Sequence, residues 1–155
     1  MFDTHRFCAD VHLGKLARLL RMLGFNTVYK NNFSKEELYN NSLNENRILL
    51  SKSAYFSRFI DINFYQIKSA DPLQQLKDII HYFNLRDSFN AFIRCLYCNE
   101  IVEKKEKEEV EKELLPNTKK DFSEFWKCPS CQKIYWKGSH YERMMKMIRE
   151  LENRV

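Results

Sequence analysis

Two cysteine pairs carry the most specific chemistry in the sequence. Cys95 and Cys98 flank Leu96-Tyr97, Cys128 and Cys131 flank Pro129-Ser130, and 29 residues separate the pairs. A thiolate pair two residues apart grips one metal ion from a tight turn, and two such turns complete a tetrahedral set of four thiolates, the pattern of structural zinc sites. Protein fills all four positions, so the expected zinc leaves no open coordination position for catalysis. Tyr97, Trp126, Tyr135 and Trp136 around the turns, with Pro129 inside the second, would supply a small apolar shell. The competing reading is a set of redox-active or merely buried thiols, although a thioredoxin-like motif needs only one CxxC beside a βαβ unit. Cys8 is left over.

Asp10 is the second residue with chemical potential. It ends a short β-prone segment, Arg6 to Ala9, and from His12 the pattern turns helical until Gly24, a natural residue just past a helix end. Leu13, Leu16, Ala17, Leu20 and Leu23 share one arc of that helix, and Lys15, Arg18 and Arg21 share the opposite arc. The helix is expected to have a core face and a basic face, the latter starting beside Asp10. Asp10 as a plain helix cap is the alternative.

The elements that must position these groups alternate. Phe25 to Tyr29 reads as a second strand, and Ser34 with Glu37 makes a capping box for a helix to about Asn44. Ile48 to Leu50 and Phe64 to Ile67 read as further strands, and Asp71 before Pro72 begins an amphipathic helix through Leu73, Leu76, Ile79, Ile80 and Phe83. Such alternation favours an α/β fold with a mostly parallel sheet, in which a carboxylate at the C-terminal end of the first strand occupies the customary ligand edge. The division expected is an α/β domain over 1–88, a zinc ribbon with a charged arm over 92–140, and a C-terminal helix over 140–155. The run Glu103 to Glu113 is expected to be a solvated helix or hairpin arm. The last helix, from His140 to Arg154, places Met144, Met147, Ile148 and Leu151 on one face.

Composition sets the bounds. The chain has 155 residues, 44% of them hydrophobic, with only three Gly and three Pro, so it is expected to fold as an ordinary soluble protein. No apolar run approaches the roughly 18 residues that cross a bilayer, and no secretion-signal pattern stands at the N-terminus. Cytoplasmic location without membrane contact is the expectation, consistent with thiols kept for metal. The net charge of +5 suits a polyanionic partner. Lys127, Lys133, Trp136, Lys137, His140 and Arg143 around the second cysteine pair could meet a partner or be ordinary surface and shell residues. The oligomeric state stays open.

The runs Asp10-Val11-His12-Leu13-Gly14-Lys15-Leu16-Ala17-Arg18-Leu19-Leu20-Arg21-Met22-Leu23-Gly24-Phe25, Arg47-Ile48-Leu49-Leu50, Arg94-Cys95-Leu96-Tyr97-Cys98-Asn99, Cys128-Pro129-Ser130-Cys131 and Tyr135-Trp136-Lys137-Gly138-Ser139-His140-Tyr141 closely resemble the Mut-seven C-terminal RNase domain family. The resemblance implies a PIN-like nuclease fold with a zinc ribbon, RNA as substrate, and Mg²⁺ or Mn²⁺ at clustered carboxylates. Such an ion activates water and neutralises charge on phosphate oxygens, which requires three or four converging carboxylates. Two departures bear on that site. The family reads Thr-Arg-Asp after the third strand where this chain has Ser51-Lys52-Ser53, and Asp-Asp where it has Ser34-Lys35.

Two functions therefore compete. In the first the protein is a metal-dependent ribonuclease: Asp10 and at least one of Glu36 or Glu37 hold the ion, with Asp61 or Asp71 as further candidates, and His12, Lys15, Arg18, Arg21 and Lys52 hold phosphates. In the second it is a catalytically inactive RNA-binding or interaction protein on the same scaffold, its acidic ligands lost at Ser53 and Lys35.

Overall fold

Phe7, Cys8 and Ala9 are fully buried, which marks a strand covered on both faces rather than an edge. They form β1 (Phe7–Ala9), with β2 (Thr27–Tyr29) on one side, β3 (Ile48–Ser51) on the other and β4 (Asn63–Gln66) beyond β3. All three pairings are parallel, and Ala9 lies opposite both Tyr29 and Leu50. The fold is α/β with a four-stranded parallel sheet of order β2-β1-β3-β4, as the alternation predicted. This computed structural model describes residues 4–153, and the chain divides into two compact units, Met1–Asn99 and Glu100–Val155.

In the first unit, α1 (Gly14–Met22) follows β1, α2 (Lys35–Glu45) follows β2, a single 3₁₀ turn (Ala54–Arg58) follows β3, and α3 (Pro72–Tyr82) follows β4. Cys8 and Leu49 face Leu38 of α2 and Phe56 of the 3₁₀ turn. On the other face Phe7 meets Phe25 and Phe83 edge-on, and α1 packs against α3. Leu13, Leu16, Ala17, Leu20 and Leu23 are all buried, the apolar arc expected of α1. The helix starts two residues later than its periodicity suggests, and its N-cap position is Leu13, so Asp10 does not cap it.

Local chemistry explains the helix ends. Past α1, Gly24 takes φ +96°, its N–H bonds the Arg21 carbonyl at 2.9 Å, and the Phe25 N–H bonds the Leu20 carbonyl at 3.0 Å. This reciprocal pair needs a left-handed residue. A Cβ at Gly24 would also stand 2.2 Å from the Asn90 carbonyl oxygen, so only glycine fits. At the start of α2 the Ser34 hydroxyl accepts from the Glu37 N–H at 3.1 Å and the Glu37 carboxylate accepts from the Ser34 N–H at 2.7 Å. Asp71 accepts from the Gln74 N–H at 2.9 Å ahead of Pro72, the predicted start of α3.

The second unit contains β5 (Glu103–Lys105), α4 (Lys107–Val110), a 3₁₀ turn (Glu111–Glu113), α5 (Pro116–Asp121), β6 (Phe125–Lys127), β7 (Ile134–Tyr135) and α6 (Ser139–Asn153). Its three strands form an antiparallel sheet of order β5-β6-β7. The charged run 103–113 is therefore more than a solvated arm. Its first residues pair with β6, and Val110 is buried along with Phe125. The closing helix starts at Ser139; the expected end at Arg154 lies outside the described residues. Among the described residues no helix is long and apolar enough to cross a membrane.

Candidate functional site

The sheet reverses its winding between β1 and β3: the chain passes from β1 to β2 on one side, then crosses back to β3 on the other. The connections that leave these two strands depart in different directions at such a point, which leaves a crevice at the carboxyl ends of the two strands. Asp10 follows β1 and Ser51 ends β3, so both stand at this crevice. The Ser51 hydroxyl donates to Asp10 Oδ2 at 2.6 Å, and the Val11 N–H donates to Asp10 Oδ1 at 2.7 Å. The Ser53 N–H donates to Ser51 Oγ at 3.1 Å, and Ser53 Oγ accepts from the Tyr55 N–H at 3.1 Å. A hydrogen-bond chain thus runs from Asp10 through Ser51 and Ser53 into the 3₁₀ turn.

The other acidic candidates are engaged elsewhere. Glu37 closes the capping box, and the Ser34 backbone N–H, then its side chain, hold the Glu37 carboxyl below the usual carboxylate range. Glu36 is exposed on the first turn of α2. Asp61 accepts from the Tyr39 hydroxyl, and that bond raises the Tyr39 phenol above its ordinary value. Asp71 caps α3. Among the described residues the four cysteines are the one group of three or more His, Cys, Asp or Glu side chains whose ligand atoms converge. The structure does not bring Asp10, Glu36 and Glu37 together as a metal set. One carboxylate beside two neutral serine oxygens does not fit the donor set that a hard dication takes in phosphodiester hydrolysis.

Exposed cations follow the same strand ends in the chain. His12, Lys15, Arg18 and Lys52 are exposed. Arg18 donates to the Tyr97 hydroxyl at 2.7 Å, and its guanidinium lies 4.5 Å from the centre of that ring. Arg21 is a correction to the expected basic face: it is only 4% exposed. Its guanidinium donates to the carbonyls of Thr27 and Leu96, each at 2.9 Å, because β2 and the first cysteine turn cover that side of α1. Lys35 Nζ and Arg58 Cζ lie 4.1 and 4.4 Å from the centre of the Tyr55 ring. Sequence reasoning misses Ser51 and Tyr55, whose importance arises only when parallel register places the end of β3 beside the end of β1.

The cysteines do converge. The Sγ atoms of Cys95, Cys98, Cys128 and Cys131 all lie within 4.8 Å of one another. Sulfurs around tetrahedral zinc, each about 2.3 Å from the ion, fit that span. The two turns repeat one geometry. The Asn99 N–H bonds the Cys95 carbonyl and the Gln132 N–H bonds the Cys128 carbonyl, both at 3.0 Å, and Asn99 and Gln132 both adopt positive φ, 72° and 66°. These four residues are positioned to hold the ion, consistent with a zinc ribbon. Cys8 is fully buried in the core, and burial pushes its thiol up to about 12, so it stays protonated and inert.

No curated protein and no solved structure matches the chain. The model of the Mut7-C RNAse domain matches residues 5–148. That match spans nearly the whole sequence and includes the helix after Asp10 and both cysteine turns, and the chain belongs to the Mut7-C RNAse domain family.

Proposed function

We propose that this protein binds RNA along the carboxyl edge of its parallel sheet, using a ribonuclease scaffold whose acidic centre is reduced to Asp10. One observation carries the reading: the exposed cations Lys15, Lys35, Lys52 and Arg58 follow the ends of three adjacent strands around a single carboxylate that is bonded to Ser51. Cations so placed neutralise backbone phosphates without reading sequence. The zinc held by Cys95, Cys98, Cys128 and Cys131 is structural in this reading. The thiols need a reducing compartment, which supports a cytoplasmic location.

Hydrolysis is the second reading, supported by the family and by the place of Asp10 at the crevice between β1 and β3. Asp10, aimed by Ser51 and Val11, is the side chain that would take a proton from an attacking nucleophile. One pair of measurements separates the two. Fluorescence anisotropy with a labelled RNA should give binding that weakens steeply with salt and is indifferent to chelation of Mg²⁺. Cleavage of the same RNA in Mg²⁺ or Mn²⁺ that Asp10→Asn abolishes would establish the ribonuclease instead, and absence of any binding at low salt would remove both readings.

A further inference from the structure

Two exposed cations from different elements meet at one aromatic ring. Lys35 begins α2, Ser53 caps the 3₁₀ turn, and Tyr55 joins them: it donates its N–H to Ser53 Oγ, and its ring lies under the Lys35 ammonium at 4.1 Å. Arg58, at the end of the same 3₁₀ turn, completes the group. Its guanidinium lies 4.4 Å from the ring centre, and its Nε donates to the Tyr55 carbonyl at 3.1 Å. Both cations are exposed, and among the described residues neither has a carboxylate partner.

This arrangement has a cost that stability does not explain. Two like charges share one ring with no counter-ion, and an exposed cation–π contact returns only about 0.5–1 kcal/mol. What the ring does achieve is restraint. It holds two long, rotamer-rich side chains in place before an anion arrives, which lowers the ordering cost of binding. The hydrogen-bond chain Asp10, Ser51, Ser53, Tyr55 connects this group to the crevice end of β1.

We infer that Lys35 and Arg58, held against Tyr55, form a subsite for the RNA phosphodiester backbone. The inference rests on the RNA-binding reading above and narrows it to named contacts. An Arg guanidinium and a Lys ammonium each suit phosphate oxygens, the first by paired N–H donors and the second as a point charge.

The test uses the full chain loaded with zinc, a labelled oligo-uridine and anisotropy across a salt series. The double variant K35Q/R58Q should bind at least about tenfold more weakly, the loss of a charge-assisted contact. Its dependence of log K on log salt should flatten by at least about 0.7, the contribution of one single-strand phosphate. The control K146Q/R149Q removes the same charge from exposed positions of α6 and should leave the slope unchanged. Inorganic phosphate at matched ionic strength should not displace the oligonucleotide. An unchanged slope in K35Q/R58Q, or an equal flattening in both double variants, overturns the subsite while leaving RNA binding intact. Wild-type protein that binds no oligonucleotide overturns the RNA reading itself. Both pairs are exposed, and an unchanged melting temperature verifies that neither variant has unfolded.

Discussion

At the scale of single residues, Ser51 does the most for the candidate site relative to how little it says in the sequence. Its side chain is fully buried, and one hydroxyl serves two bonds, a donor to Asp10 and an acceptor for the Ser53 N–H. Ser51→Ala removes both bonds from partners that are half-buried (Asp10) and exposed (Ser53), so it should lower stability by about 0.5–1.5 kcal/mol in urea unfolding. A change below a few tenths of a kcal/mol would show that water replaces the hydroxyl and that the chain of bonds is not structural. Asp10 is legible from sequence because an acidic residue directly after an apolar strand has few roles. Ser51 is not, because its meaning depends on the register that sets Ala9 opposite Leu50. Arg21 shows the complementary error. A helical wheel places it beside Lys15 and Arg18, but the wheel does not see the carbonyls of Thr27 and Leu96 that arrive from other parts of the chain.

At the scale of elements, boundaries with chemical punctuation are readable and those without it are not. Gly24, the Ser34–Glu37 box and the Asp71-Pro72 pair each announce a helix end, and each is found there. The start of α1 has no capping side chain, and periodicity alone sets it two residues too early. Gly24→Ala must force φ +96° on a residue with a Cβ and drive that carbon into the Asn90 carbonyl, so a loss of about 2 kcal/mol or more is expected in thermal or urea unfolding. A neutral result would mean that the segment around Asn90 yields freely. The capping box carries a pH signature. The folded state holds the Glu37 carboxyl below the usual range, so its contribution is present at neutral pH and is lost as pH falls through and below that range. Melting curves from neutral pH to about pH 3 should show this loss in the wild type and a smaller one in Glu37→Gln. Identical profiles would remove the capping box as its source.

At the scale of the whole molecule, the cysteine spacing predicts a metal centre but not what the first cysteine turn holds. The segment Arg94–Asn99 is bonded into the first unit at several points. Arg94 donates to the Gly24 carbonyl at 3.0 Å and to the Asn99 carbonyl at 2.9 Å, and Arg21 donates to the Leu96 carbonyl at 2.9 Å. Asn99 accepts from the Thr27 N–H and donates to the Asn26 side chain, at 2.9 and 2.8 Å. Tyr97, between the two cysteines, holds the Arg18 side chain of α1. A metal ion that binds only the folded turn adds its binding free energy to everything bonded to that turn. Zinc removal by a strong chelator should therefore reach well beyond the ribbon. The melting temperature should fall by roughly 10 °C, equivalent to about 3–4 kcal/mol for a chain of this size. Hydrogen exchange should quicken at the Thr27 amide and through the end of α1, and RNA affinity should drop because Arg18 loses the partner that orients it. Cys95→Ser should reproduce all three effects in zinc-replete buffer, which separates the role of the ion from any action of the chelator. If exchange at Thr27 stayed slow while the ribbon's tryptophans reported loss of metal, the first turn would be held by its protein bonds alone, and zinc would have no influence on the edge where Asp10 stands.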